Sequence, residues 1–262
     1  MPETLAIERA GAVATIWMNR PEVHNAFNET VIEELDAAVQ ALGADAQVRV
    51  VVLAGRGRSF SAGADLNWMQ RLASASEAEN LQDARRFAAM LRRVATLAKP
   101  TIARVHGAAL GGGVGLAAAC DLCVAGDEAT FAMTEVRLGL IPAVIGPYVV
   151  RAIGVRQSLR YMQTAERIGA ARAVELGLAH EAVPAGALDE RIGTHAAALC
   201  AGGPAAQAHA KRLLLALESQ PLADALIDQT ARAIAAQRAS PEGREGLAAF
   251  FARRPPGWAP PP

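Results

Sequence analysis

The chain has 262 residues, enough for one large domain or a domain with an appendage. Lys+Arg and Asp+Glu balance at 26 each, and with no net charge nothing in the composition points to nucleic acid as a partner. No apolar run reaches the roughly 18 residues of a membrane span, and the N-terminus, with Glu3 and Glu8, lacks the apolar segment of a secretory signal.

Hydrophobic residues make up 52% but aromatics only 4%, so the expected core is Ala, Val, Leu and Ile. The three cysteines, Cys120, Cys123 and Cys200, are too few and too odd in number for a disulfide framework. They point to a reducing compartment, and the expected localisation is cytoplasmic.

In chain order, residues 12–18 are β-branched and apolar and read as a strand, ended by Asn19-Arg20-Pro21. Asn28 can cap a helix over 28–43, with Val31, Leu35, Ala38 and Leu42 on one face. Residues 48–53 form a buried strand pattern, and 59–65 are small and glycine-bearing, hence a loop. A helix start follows at Asp65, and 76–97 is a long helical pattern. After Lys99-Pro100, residues 101–105 are extended and lead into a glycine turn and a short helix ending near Cys120. Short strands are expected over 122–125 and 130–133, and beyond Gly154 the pattern turns helical. Breaks fall at 183–186 and 202–204, and two helices over 204–218 and 221–239 precede the apolar tail 250–258. Such a tail is expected to cover a partner or another subunit.

The glycine turn carries the most chemistry. Gly111-Gly112-Gly113 lies between an apolar run and an Ala-rich helix. Glycines let the backbone approach a bound group closely, and the helix that follows aims free N–H groups and its positive dipole end at the same place. Such a turn can hold a resting phosphate or a negative oxygen that develops during reaction. Gly113-Val114-Gly115-Leu116-Ala117-Ala118 also fits a loose dinucleotide fingerprint, but the helix it would open is too short and it falls too late in the chain. Cys120 and Cys123 are three apart at a strand start, so they read as two separate thiols and not as a redox pair. Ser61-Ala62-Gly63-Ala64-Asp65-Leu66 is a second loop where backbone could meet a ligand. Glu135, between apolar segments, could be an acid or base with a raised pKa, or simply solvated or paired with Arg137. Two such loops and one isolated carboxylate suggest an anion-stabilising site with an acid-base group.

Together these residues resemble the crotonase family, the enoyl-CoA hydratase/isomerase superfamily. The resemblance rests on His24-Asn25-Ala26, the 61–66 loop, Lys99-Pro100 leading into Leu110-Gly111-Gly112-Gly113, and Cys120-Asp121. It continues through Phe131, Glu135 and Gly139 to Glu245-Gly246-Leu247-Ala248-Ala249-Phe250 and Arg253-Arg254. It implies an α/β fold, a spiral of repeated ββα units over residues 1–200 that carries the CoA and active sites. A C-terminal helical region over 201–262 would then build a homotrimer, often paired into a homohexamer. The implied partner is an acyl-CoA thioester, with CoA arriving as part of the substrate and no metal or other cofactor. The resemblance assigns an oxyanion hole to the N–H groups of Ala64 and Gly112. It assigns CoA contacts to Ala62, Gly63, Ala64, Asp65 and Leu66, and CoA phosphates to the Arg253 and Arg254 region.

One position departs from the family pattern. Hydratases of this family typically use two glutamates; Glu135 matches the second, and the first falls at Gly115, which has no side chain. The expected reaction is hydration of a short or branched 2-enoyl-CoA with Glu135 working through an oriented water. Ala64-Asp65-Leu66-Asn67-Trp68-Met69 and the run from Glu135 to Pro142 resemble bacterial methylglutaconyl-CoA hydratases of leucine breakdown. That substrate carries a distal carboxylate, for which Arg137 or Arg71 is the expected partner. The alternatives are a Δ3,Δ2-enoyl-CoA isomerase using Glu135 alone, and a non-catalytic acyl-CoA-binding oligomeric module.

Overall fold

The computed structural model describes residues 3–217 and 220–259. Strands β1 (Leu5–Ala10) and β2 (Val13–Met18) form an antiparallel hairpin. Helix α1 (Glu29–Ala44) follows, capped by the Asn28 side chain, which accepts the Val31 N–H at 3.0 Å. Next come β3 (Val50–Gly55), α2 (Leu66–Ala73) and α3 (Glu77–Thr96), the last opened by a reciprocal Ser76/Glu79 cap. Then β4 (Thr101–Val105), β5 (Ala108–Leu110), α4 (Gly112–Ala119), β6 (Leu122–Gly126) and β7 (Thr130–Ala132) run in quick succession. The remainder is α5 (Gly146–Thr164), broken at Gly154, β8 (Ile168–Gly169), α6 (Ala170–Leu176), β9 (Glu181–Val183) and α7 (Leu188–Ala201). Helices α8 (Pro204–Leu217), α9 (Asp224–Ala239) and α10 (Pro241–Phe251) close the chain. The expected end of α8 at Glu218 lies outside the described residues.

Six strands form one sheet in the order β1-β2-β3-β4-β6-β9, parallel except for the β1–β2 hairpin. A small second sheet, β5-β7-β8, stands beside it. Strand β3 (Val-Val-Val-Leu-Ala-Gly) is buried throughout, as a parallel strand covered on both faces must be. Its alternate residues feed two cores. Val51 and Leu53 pack with residues of α1, α3 and α4, while Val50 and Val52 pack with Leu188, Ile192 and Ala196 of α7.

Several residues of the sequence motifs hold this frame together. Lys99 donates to the carbonyls of Leu42, at 2.7 Å, and Asp45, closing the C-terminus of α1. Asp121 accepts the N–H of Thr101 and the ammonium of Lys211, each at 2.8 Å, and so ties α8 to β4. Cys120, Cys123 and Cys200 are free thiols, and burial pushes Cys123 up to about 12, which keeps it unreactive. In the tail, Trp258 folds back, its indole N–H donating to the Ala201 carbonyl at 3.2 Å. Phe250 and Phe251, by contrast, stay 75% and 77% exposed.

Candidate active site

The site forms where three chain segments leave the same edge of the large sheet. Asn25 joins two of them. Its amide donates to the carbonyls of Arg56 and Ser59, both at 2.8 Å, and its Oδ1 accepts the Arg20 N–H at 2.9 Å. His24 and Asn25 both take positive φ, 53° and 55°, which turns the chain tightly enough to do this. The Ser61 hydroxyl returns a bond to the Asn25 carbonyl at 2.8 Å.

The 61–65 loop is then held on both sides. Phe27 donates to Gly63 at 2.6 Å and accepts from Asp65 at 2.8 Å. Ser61 accepts from Leu110 at 2.9 Å and donates to Ala108 at 3.0 Å, which stitches the loop to β5. The Phe27–Ala64 bridge uses the groups flanking Ala64, so the N–H of Ala64 points away from Phe27. Among the described residues no protein acceptor meets that N–H. Gly112, the first residue of α4, is in the same condition, as a first-turn helical N–H without a capping side chain must be.

The two loops touch. Gly63 and Gly111 both have positive φ, 87° and 47°. A Cβ built on Gly63 would lie 2.9 Å from the Leu110 carbonyl oxygen, and one on Gly111 would lie 4.0 Å from the Gly63 Cα. Behind Gly112 stand Phe87 and Phe27, whose rings are 5.6 Å apart, leaving no room for a side chain there.

Glu135 opens a single 3-10 turn (Glu135–Leu138) after β7. Its Oε1 sits 3.2 Å from the point where a Cβ on Gly111 would stand. Its Oε2 is buried and has no hydrogen-bond partner among the described residues. Burial raises the carboxyl above its ordinary range, and its own backbone N–H offsets this only in part. Arg137 does not pair with it but donates to the Ala165 carbonyl at 2.9 Å. A buried carboxylate oxygen on a group set against Gly111, the residue before the free Gly112 N–H, suits proton transfer near a developing negative oxygen.

The other expected residues take different places. Asp65 caps α2, accepting from Asn67 and Trp68, and pairs with Arg20 at 2.9 Å. Burial pushes its carboxyl up, but the Arg20 bond and the two N–H bonds outweigh it and the net direction is down. Asp65 therefore shapes the loop with a carboxylate already fully engaged, while Leu66 is exposed. Arg254 is held by Glu245 at 2.7 Å, and Arg253 is exposed beside it. Arg71 lines a polar cavity of about 590 Å³ with Trp68, Leu72, Asp83 and Arg86, and pairs with Glu29 at 2.6 Å.

A model of the enoyl-CoA hydratase/isomerase family matches residues 8–261. The chain belongs to the enoyl-CoA hydratase/isomerase family. An enoyl-CoA hydratase structure from Shewanella pealeana superposes with a TM-score of 0.96 at 40% identity, covering 98% of this chain and 96% of that one. A Thermus thermophilus relative carrying an enoyl-CoA hydratase name is 37% identical over 94% of this chain and 97% of its own. A 2,3-dehydroadipyl-CoA hydratase from Escherichia coli is 32% identical over 97% and 98%. The ββα order and the helical C-terminus are thus the crotonase fold.

The position where the resemblance implied a first glutamate is closed by a neighbour. A Cβ on Gly115 would stand 2.2 Å from Cγ2 and 2.7 Å from Cβ of Ile145. The missing side chain at 115 is therefore matched by a bulky neighbour that fills its place. Glycine at 115 is plain in the sequence, but its apolar occupant thirty residues later is not.

Proposed function

We propose that this protein adds water across the 2,3 double bond of a short or branched 2-enoyl-CoA. The observation that carries the reading is the half-buried Glu135 carboxyl, its enclosed Oε2 without a hydrogen-bond partner among the described residues, set against Gly111 where the two loops meet. Ala64 and Gly112 are the oxyanion donors, Glu135 is the acid-base group, and the 62–66 loop receives CoA. The basic end of α10, at Arg253 and Arg254, is assigned to CoA phosphates, from this subunit or a neighbouring one. No metal or further cofactor takes part in the proposed reaction.

In the proposed reaction a water held by ionised Glu135 attacks C3. One of its protons passes to the carboxylate as the C2–C3 π pair moves toward the thioester, whose oxygen becomes an enolate held by the two N–H groups. The enolate then collapses, and C2 takes the proton from Glu135. Water is added and the carboxylate is restored. Each oxyanion donor is worth about 10²–10³ in rate. A carboxyl raised by burial suits both halves of the cycle, since it holds a proton more readily than a solvated one.

Several relatives carry hydratase names, which supports addition of water. One is named for a dehydroadipyl thioester, an acyl group ending in a carboxyl. Of the two arginines considered for a distal carboxylate such as that of 3-methylglutaconyl-CoA, Arg71 lines a cavity and Arg137 is committed to Ala165. A place in leucine breakdown rests on that substrate.

The second reading is a Δ3,Δ2-enoyl-CoA isomerase, favoured by the filled place at Gly115. There Glu135 alone would take a proton from C2 and return it at C4. Mass spectrometry of a 2-enoyl- and 3-enoyl-CoA panel separates the two, since only hydration adds the mass of water. Tight binding of the whole panel without turnover would instead indicate a non-catalytic acyl-CoA module. The exposed Phe250 and Phe251 of α10 support assembly into a trimer or hexamer, checked by sedimentation. A cytoplasmic setting, with acyl-CoA and reduced thiols, belongs to the same proposal.

A further inference from the structure

Gly111 stands just before α4 and Gly115 lies in its first turn, the two joined by the Gly115 N–H to Gly111 carbonyl bond of 3.2 Å. Glu135 rests against the first, with Oε1 3.2 Å from the Cβ site, and Ile145 occupies the second outright. Both side chains come from one segment, which leaves β7, turns at Glu135–Leu138 and closes onto α4 at Ile145, just before α5. Ile145 is only 2% exposed. The overlap at 115 involves Cβ and Cγ2, the branch next to the backbone, so rotating the far end of the side chain does not relieve it.

We propose that Ile145 is a positioning residue of this active site: it fills the place at Gly115, which is bonded through its backbone to the glycine that Glu135 rests against, keeps water and any second acid-base group out of that place, and leaves proton transfer to Glu135 alone. The inference deepens the acid-base reading of Glu135 and rests on it. It also makes residues 115 and 145 an interdependent pair, so that a side chain at 115 calls for a smaller one at 145.

The ionisable groups on the elements around Glu135 are few. Arg137 on its own turn is bonded to Ala165, Asp65 beyond Gly63 is paired with Arg20, and Tyr148 and Arg151 stand on the first turns of α5. Burial is the largest influence on the Glu135 carboxyl. Opening the apolar wall to water should therefore favour the ionised form.

The test is a carbon-13 NMR titration of the Glu135 carboxyl in the full chain, with its signal assigned through Glu135→Gln. It needs no turnover, so a failed hydratase assay and a failed inference remain distinct. Ile145→Ala should move the Glu135 titration to lower pH. Ile145→Val, which keeps Cβ and Cγ2, should leave it where it is. If the alanine variant does not fold, Ile145→Thr carries the test, since it keeps the branch at Cβ and adds a hydroxyl; it too should lower the titration. A titration unmoved in the folded alanine or threonine variant would overturn the proposal. In parallel, Gly115→Ala should lower Tm, and adding Ile145→Ala should recover part of that loss. A double variant less stable than Gly115→Ala alone would contradict the interdependence of the pair.

Discussion

The Oε1 atom of Glu135 lies 3.2 Å from the point where a side chain on Gly111 would begin. One glycine thus admits the carboxylate, and the next, Gly112, leads α4 with a free N–H. The Glu135 carboxylate, the proposed acid-base group, meets the glycine turn where its backbone carries no side chain.

Gly111→Ala should be costly in two ways. The positive φ of 47° imposes strain of about 1–3 kcal/mol on a residue with a Cβ. The new methyl also pushes on the Glu135 carboxylate, so kcat/KM should fall by more than the stability loss explains. Denaturant unfolding and steady-state assays on the same preparation check this; a variant that loses stability but keeps full activity would contradict the placement of Glu135.

Glu135→Gln should abolish turnover and stabilise the fold at neutral pH. Burial raises the folded carboxyl above its unfolded value. The folded state then holds the proton more tightly, and stability falls as pH rises from the unfolded to the folded pKa. The glutamine does not titrate, so its Tm should exceed that of the wild type above that window. In acid the pH-dependent advantage should disappear. A gain in relative stability toward acid would have the wrong sign.

Asp65→Ala should have the opposite pH signature. Asp65 caps α2 and pairs with Arg20, and its folded pKa is depressed. Its contribution is full above the unfolded pKa and is lost as pH falls through the folded one. Losing the cap costs about 1–2 kcal/mol, and the loosened 61–65 loop should raise KM for acyl-CoA. Thermal unfolding across pH should show wild type and variant converging in acid.

Much of this frame was legible locally. The Asn28 cap, the Ser76 start of α3, the buried run of β3 and the glycine turn all carry their signals within a few residues. Strand β1 did not, because most of it is exposed and its Leu-Ala-Ile-Glu-Arg-Ala sequence shows little alternation. Asn25 could be noticed as part of a motif, but its amide bonds to Arg56 and Ser59 depend on a turn that composition does not encode. Ile145 reads as any core residue until α4 and the segment after Glu135 are brought together. Contacts between distant segments, not local propensity, define that part of the site.

Arg71→Ala tests the acyl terminus. Arg71 lines the polar cavity beside Trp68 and Asp83. If it receives a distal carboxylate, kcat/KM for a carboxyl-ended 2-enoyl-CoA should drop by about tenfold or more, the worth of one charge-assisted hydrogen bond. The rate with an uncharged acyl chain of matched length should barely change. Equal losses on both substrates would remove Arg71 from specificity.

The most direct measurement is turnover of an enoyl-CoA panel in water labelled with heavy oxygen, read by mass spectrometry for wild type and Glu135→Gln. The account predicts labelled 3-hydroxyacyl-CoA from the wild type and none from the variant. Unlabelled products with only a shifted double bond, or labelled product undiminished in Glu135→Gln, would contradict it.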